Sequence, residues 1–132
     1  MPKPIPIGTR AEVTRTVELR HTLKHHHEVL PPVLTTPDMI GWMEFACYQA
    51  AIPFQEEGET TVGTHINVSH RAPTGVGATV RATAVLEKIN GRFHIFRVQA
   101  WEGERLIGEG TVDRAFVHVS RFMDKHAVPK HE

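Results

Sequence analysis

Cysteine is nearly absent from this chain of 132 residues, with Cys47 standing alone. One thiol excludes an intramolecular disulfide and any zinc site built from several cysteines. No run approaches 18 apolar residues, so no segment reads as a membrane-spanning helix. The start, Met1-Pro2-Lys3-Pro4-Ile5-Pro6, lacks the apolar centre of a signal peptide. Net charge is missing too, with 15 Lys+Arg against 15 Asp+Glu. Phosphate backbones are bound by clustered, unbalanced positive charge, so nucleic acid is excluded as a partner. These absences together set the expected location as a reducing cytoplasm. What is present, 40% hydrophobic and 23% charged residues, fits a folded chain rather than a disordered one. The length fits one domain over 1–132, with about 1–10 and 124–132 as flexible ends.

Alternation dominates the pattern. Val13, Val17, Leu19 and Leu23 share one parity against Thr14, Thr16, Glu18, Arg20 and Thr22, which predicts a half-buried strand over 13–23. Residues 24–35 have no period, and Pro31-Pro32 forbids a regular element there. A helix signal follows: Thr36 as N-cap, Pro37 at the first helical position and Asp38 in the first turn. Pro53 ends it near Ile52. Strands are then expected over about 62–69, 78–89, 92–101 and 105–119, with tight turns at Asn90-Gly91 and Glu102-Gly103. Residues 120–132 are polar and expected to fray, apart from Phe122 and Met123. Short connections make antiparallel neighbours, giving an α+β domain with about five strands and one helix roughly 25 Å long. One such helix covers only the middle of a curved sheet, so a homodimer is expected to cover the rest.

The helix carries the clearest chemical signal. From Met39 to Gln55 its only charge is Glu44, at the edge of an apolar arc formed by Met39, Ile40, Met43, Ala46, Cys47 and Ala50. A carboxylate there is costly to bury unless paired, hydrogen-bonded or protonated. Either it reaches solvent or caps a neighbouring amide, or it is a catalytic carboxylate. Thr36 lies two turns away, so both can border one cleft. His70 shares parity with Val62, Ile66 and Val68 and is read as either a core histidine or a site residue; His65 faces the other way. Arg114 interrupts an inward row with Val112 and Phe116. Gly63 either relieves crowding or lets a ligand approach the backbone. The His25-His26-His27 run diverges in extended chain and reads as solvated loop, so no metal site is expected. Cys47 reads as core packing, because burial raises a thiol's pKa and lowers its reactivity. Gly-x-Gly at 75–77 and 108–110 is no dinucleotide fingerprint, because no helix follows either.

The segments Thr35-Thr36-Pro37-Asp38-Met39-Ile40-Gly41-Trp42-Met43-Glu44, Gly63-Thr64-His65-Ile66-Asn67-Val68-Ser69-His70-Arg71-Ala72 and Asp113-Arg114-Ala115-Phe116-Val117-His118 resemble the hotdog-fold thioesterases, and within them the fluoroacetyl-CoA thioesterase branch. The resemblance runs from about residue 11 to 122, and its pattern Thr-x7-Glu-x25-His is more specific than any one residue. It implies a helix wrapped by an antiparallel sheet, dimers with sites at the subunit boundary (tetramers remaining open), and hydrolysis of acyl-CoA without a further cofactor. It implies Thr36, Glu44 and His70 as catalytic residues, with Gly63 near the substrate carbonyl and Arg114 near the site. The resemblance also implies an aromatic lid in that branch. Residues 24–35 contain no Phe, Tyr or Trp, so a different acyl group is expected here.

Two alternatives stand beside hydrolysis. A non-catalytic acyl-binding module has no need of a carboxylate among apolar neighbours. An enoyl-CoA hydratase of the same fold needs an Asp and His pair after a hydratase-type loop, which is not found. Charge alone nominates Lys88, Arg71, Arg92 and Arg97 for contact with CoA.

Overall fold

The computed structural model describes residues 3–126. Five antiparallel strands, β1 (Arg10–Thr16), β2 (Glu59–His70), β3 (Thr79–Asn90), β4 (Phe93–Glu102) and β5 (Arg105–His118), form one sheet in the order β1-β3-β4-β5-β2. Three helices, α1 (Leu23–His26), α2 (Thr36–Ala51) and α3 (Val119–Lys125), accompany it. The α2 helix packs mainly on β1 and β3. The α+β architecture of one long helix on a five-stranded sheet is as expected. None of the described helices is long and apolar enough to cross a membrane.

The core follows the alternation. Val80, Ala82, Ala84 and Leu86 point inward from β3, Phe96 and Val98 from β4, Val112 and Phe116 from β5, and all are buried. Met39, Met43, Ala46, Cys47 and Ala50 face them from α2. Each large side chain so buried contributes about 1.5–3 kcal/mol, which outweighs the weak amphipathicity of α2 in fixing its seat. Cys47 lies fully inside, and burial pushes its thiol pKa up to about 12.

Four local readings are corrected. The first strand stops at Thr16 instead of running to Leu23. There Glu18 and His21 close a capping box, the His21 ring nitrogen accepting from the Glu18 amide at 3.0 Å, and the chain coils through Leu19–His21 into α1. That local bonding overrides the alternation of Leu19 and Leu23, and Leu19 is left exposed. Second, Thr35 caps α2 instead of Thr36. Its Oγ1 accepts from the Asp38 amide at 3.1 Å and its hydroxyl donates to the Asp38 carboxylate at 2.6 Å, placing Pro37 at the second helical position. Third, the β3–β4 and β4–β5 turns sit one residue later than predicted. Asn90 pairs with Phe93 and Glu102 with Arg105, so Gly91 and Gly103 take the positive φ at the first loop position. Fourth, residues 119–125 form α3 instead of fraying; residues 127–132 lie outside the described residues. At the other end, Ile5 is buried and Gly8 and Thr9 bond to Leu86, so part of the 1–10 stretch is tied to the sheet.

One irregularity decides where the site residues point. The β2–β5 register shifts between Gly63 and His65, leaving Thr64 as an extra residue. A bulge of this kind reverses the parity of everything beyond it. Gly63 pairs with Arg114, whereas Ile66 pairs with Val112 and His70 with Gly108. Opposed residues share a face, so Gly63 and His70 both point to the helix side despite opposite parity. Val62, opposite Ala115, points outward. The reading that set Val62 on the face of His70 is therefore corrected by the bulge.

Candidate active site

The start of α2 meets the end of β2. Because Thr35 takes the capping role, the Thr36 hydroxyl is free for another partner, and it lies 2.7 Å from His70 Nδ1. His70 Nε2 is buried with no hydrogen-bond partner among the described residues. A buried imidazole nitrogen left open in this way is costly to keep, and it marks a place where another group belongs. Burial pushes the His70 pKa below 6.5, partly opposed by the backbone of Ala72. The first-turn amides of α2 add a donor. Asp38 and Met39 bond back to Thr35, Pro37 has no N–H, and the Thr36 N–H has no partner among the described residues. The positive end of a helix then stands beside the Thr36–His70 pair.

A second cluster forms two turns further along α2. Glu44 Oε1 lies 3.5 Å from Arg114 Nη1, with the arginine side chain 10% and the glutamate 31% exposed. This answers the question of how a carboxylate survives among apolar neighbours: it is paired, and one side remains open. Arg114 is fixed from behind by Thr61, its Nη2 donating to the Thr61 carbonyl at 2.8 Å and to Oγ1 at 3.2 Å. Thr61 carries no sequence signal for this role, since the bulge at Thr64 hides its inward direction. Gly63 lies directly under the carboxylate. A Cβ at that position would overlap Glu44 Oε1, so only glycine leaves the acid in place.

The five residues thus fall into two groups, Thr36 with His70 and Glu44 with Gly63 and Arg114. Among the described residues no bond joins one group to the other. Thr36 and Glu44 are separated by about 12 Å along the helix axis, and Gly63 and His70 by roughly 20 Å along β2. Between them lie Ile40 on α2 and Val68 and Ile66 on β2, the last 43% exposed. His65 is exposed, and no group of three or more His, Cys, Asp or Glu that can hold a metal occurs among the described residues.

A five-stranded antiparallel sheet packed on one long helix is the architecture of the hotdog-fold thioesterases, and comparison with known proteins places the chain among them. A family model described as fluoroacetyl-CoA-specific thioesterase matches residues 4–120, and the chain belongs to that family. The fluoroacetyl-CoA thioesterase of Streptantibioticus cattleyicolor is 44% identical over 95 residues, 72% of this chain and 68% of that protein. A solved fluoroacetyl-CoA thioesterase superposes with a TM-score of 0.89 at 36% identity, covering 96% of this chain and 100% of the other. A thioesterase superfamily member from Thermus thermophilus gives 0.87 at 30% identity, over 94% and 92% of the two chains. The protein is a thioester hydrolase of the acyl-CoA thioesterase class.

The lowered pKa of His70 carries a pH prediction. Between the native value and the ordinary one near 6.5, the unfolded chain binds more protons than the native chain, so stability rises with pH. The contribution is complete above 6.5 and is lost as pH falls through the lowered native value. Thermal unfolding of the wild type followed across this window should show a steeper acid-side loss than His70→Asn, which has no imidazole to titrate.

Proposed function

We propose that the chain hydrolyses its acyl-CoA substrate at a site shared between two copies, with Glu44 from one and Thr36 and His70 from the other. The observation that carries this reading is the separation of the two clusters within one chain, each facing the unpaired edge of β2. That edge is 12 residues long and exposes Ile66, and long exposed edges invite a partner strand. If two β2 strands pair antiparallel about a point between Ile66 and Asn67, Gly63 of one chain falls opposite His70 of the partner subunit. The same symmetry then brings Glu44 to the Thr36–His70 pair, and it builds two equivalent sites.

In such a site Glu44 serves as the base for a water or attacks the thioester carbonyl itself. The Thr36 N–H at the helix start stabilises the oxyanion, a donor of a kind worth about 3–4 kcal/mol at the transition state. His70, fixed by the Thr36 hydroxyl, turns Nε2 to the thioester. The C–S bond breaks and CoA leaves as a thiolate, which is a good leaving group without full proton transfer. Arg114, 3.5 Å away, holds the Glu44 carboxylate in place. The substrate class is an acyl-CoA other than a narrowly selected fluoroacyl ester. This rests on residues 24–35, which carry no Phe, Tyr or Trp and whose exposed large apolar residues are Val29 and Leu30. A cytoplasmic location belongs to the same reading, on the strength of the lone reduced thiol.

Mixing two inactive variants tests the shared site. Glu44→Gln and His70→Ala homodimers, unfolded and refolded together, should recover about a quarter of wild-type thiol release, since half the dimers are mixed and each carries one intact site. Recovery of nothing from properly formed mixed dimers would place the whole site in one chain and overturn the proposal.

A further inference from the structure

Arginine carries its N–H donors on a flat, rigid fork. In Arg114 one edge of that fork is given wholly to Thr61. Nη2 donates to the Thr61 carbonyl at 2.8 Å and to Thr61 Oγ1 at 3.2 Å, and Nε donates to the same hydroxyl oxygen at 3.3 Å. The remaining terminal nitrogen, Nη1, faces Glu44 Oε1 at 3.5 Å. Among the described residues Arg114 has no other side-chain partner. Because the fork cannot flex, a grip on its Nε–Nη2 edge sets where Nη1 points. The Glu44 side chain is 31% exposed, and an ion pair so open to solvent holds a carboxylate only as firmly as the arginine itself is held.

The grip is itself well fixed. Thr61 is 4% exposed, so its hydroxyl is sealed from solvent and from any bound ester. Whatever it does for the chemistry must pass through Arg114. A β-branched side chain on a strand has few χ1 choices, and the hydroxyl direction is therefore set by β2. Thr61 and Gly63 stand two apart on that strand, both before the bulge, and share its inner face. A Cβ at Gly63 would overlap Glu44 Oε1 and lie 3.4 Å from Arg114 Nη1, so acid and arginine meet directly over this glycine. One inward position of β2 thus aims the cation, and the next leaves room for the anion.

We infer that Thr61 is a positioning residue for thioester hydrolysis, its hydroxyl setting the angle at which Arg114 presents Nη1 to Glu44. This inference rests on the assignment of Glu44 to the reacting centre. It extends the working site to a buried hydroxyl that touches no substrate.

Three variants and one paired background test it. Thr61→Val keeps the shape and the backbone carbonyl but removes the hydroxyl. It should lower kcat about 10- to 100-fold, the scale of a small misplacement of a reacting group, with KM within about twofold. Thr61→Ser restores the acceptor and should return kcat to within about threefold of wild type. Thr61→Cys, whose sulfur is a weak acceptor, should fall between the two, and it carries the test where the valine variant does not fold. On an Arg114→Ala background, Thr61→Val should change kcat by no more than about twofold, because no guanidinium is left to aim. Wild-type kcat in folded Thr61→Val, or no rescue by serine, overturns the inference. So does an equal loss on the Arg114→Ala background, which would make the hydroxyl a packing group. These outcomes leave Glu44 in its role so long as Glu44→Gln is inactive. Wild-type turnover by Glu44→Gln removes that role whatever Thr61 does.

Discussion

Glu44→Gln should lower kcat by about 10²–10⁴-fold, the range for removing a positioned base, and more if the carboxylate is the nucleophile. The change is close to isosteric. The amide oxygen can still accept from Arg114, and Gly63 still leaves room beneath it. What is lost is the negative charge and the ability to take a proton. The fold should survive, because the Glu44 side chain is 31% exposed and partly exposed ion pairs contribute at most about 1 kcal/mol. Thiol release from a panel of acyl-CoA esters, measured beside the melting curve and the mass of the assembly, checks both halves of the statement. Wild-type turnover on the best ester, in a protein that melts normally, would remove Glu44 from the chemistry.

Gly110→Ala should be the most damaging single methyl addition in the sheet. A Cβ at Gly110 would run into the Asn67 carbonyl oxygen and the Val68 Cα of the paired strand, both backbone atoms that cannot swing aside. The β2 and β5 strands must part locally, at the typical overpacking cost of about 1–3 kcal/mol or more. For a domain of this length that corresponds to a fall in Tm of roughly 3–15 °C, readable by calorimetry. Gly63 differs instructively. The obstacle there is the far end of a glutamate side chain, which can move, so a methyl group at that position acts on the carboxylate and not on the sheet. A Tm for Gly110→Ala within a degree of wild type would show that β2 is held less closely than its register indicates.

Most of the fold was legible because each element repeats its signal many times. Inward Val80, Ala82, Ala84 and Leu86 declare β3 without ambiguity, and Pro53 sets the end of α2. The failures came where one local bond outweighed a pattern. The Glu18–His21 box ended β1 although Leu19 and Leu23 kept the alternation. Two adjacent threonines can each cap a helix, and only the Thr35–Asp38 bonds decide between them. Thr36, Glu44, His70, Gly63 and Arg114 stood out from charge, parity and spacing, their roles were carried by resemblance alone, and their grouping was not legible at all. A single extra residue, Thr64, sets Gly63 and His70 on the same face, and a bulge leaves no mark in residue type. Thr61, which anchors Arg114, was missed for the same reason.

The sealed position of Cys47 has a practical corollary. Colorimetric reagents that report liberated coenzyme react with any accessible sulfhydryl, and this protein offers them none while it stays folded. The trace therefore counts turnover alone from the first second. A late, slow rise in colour of one equivalent per chain would be the unfolding clock of the enzyme itself, recorded in the same cuvette.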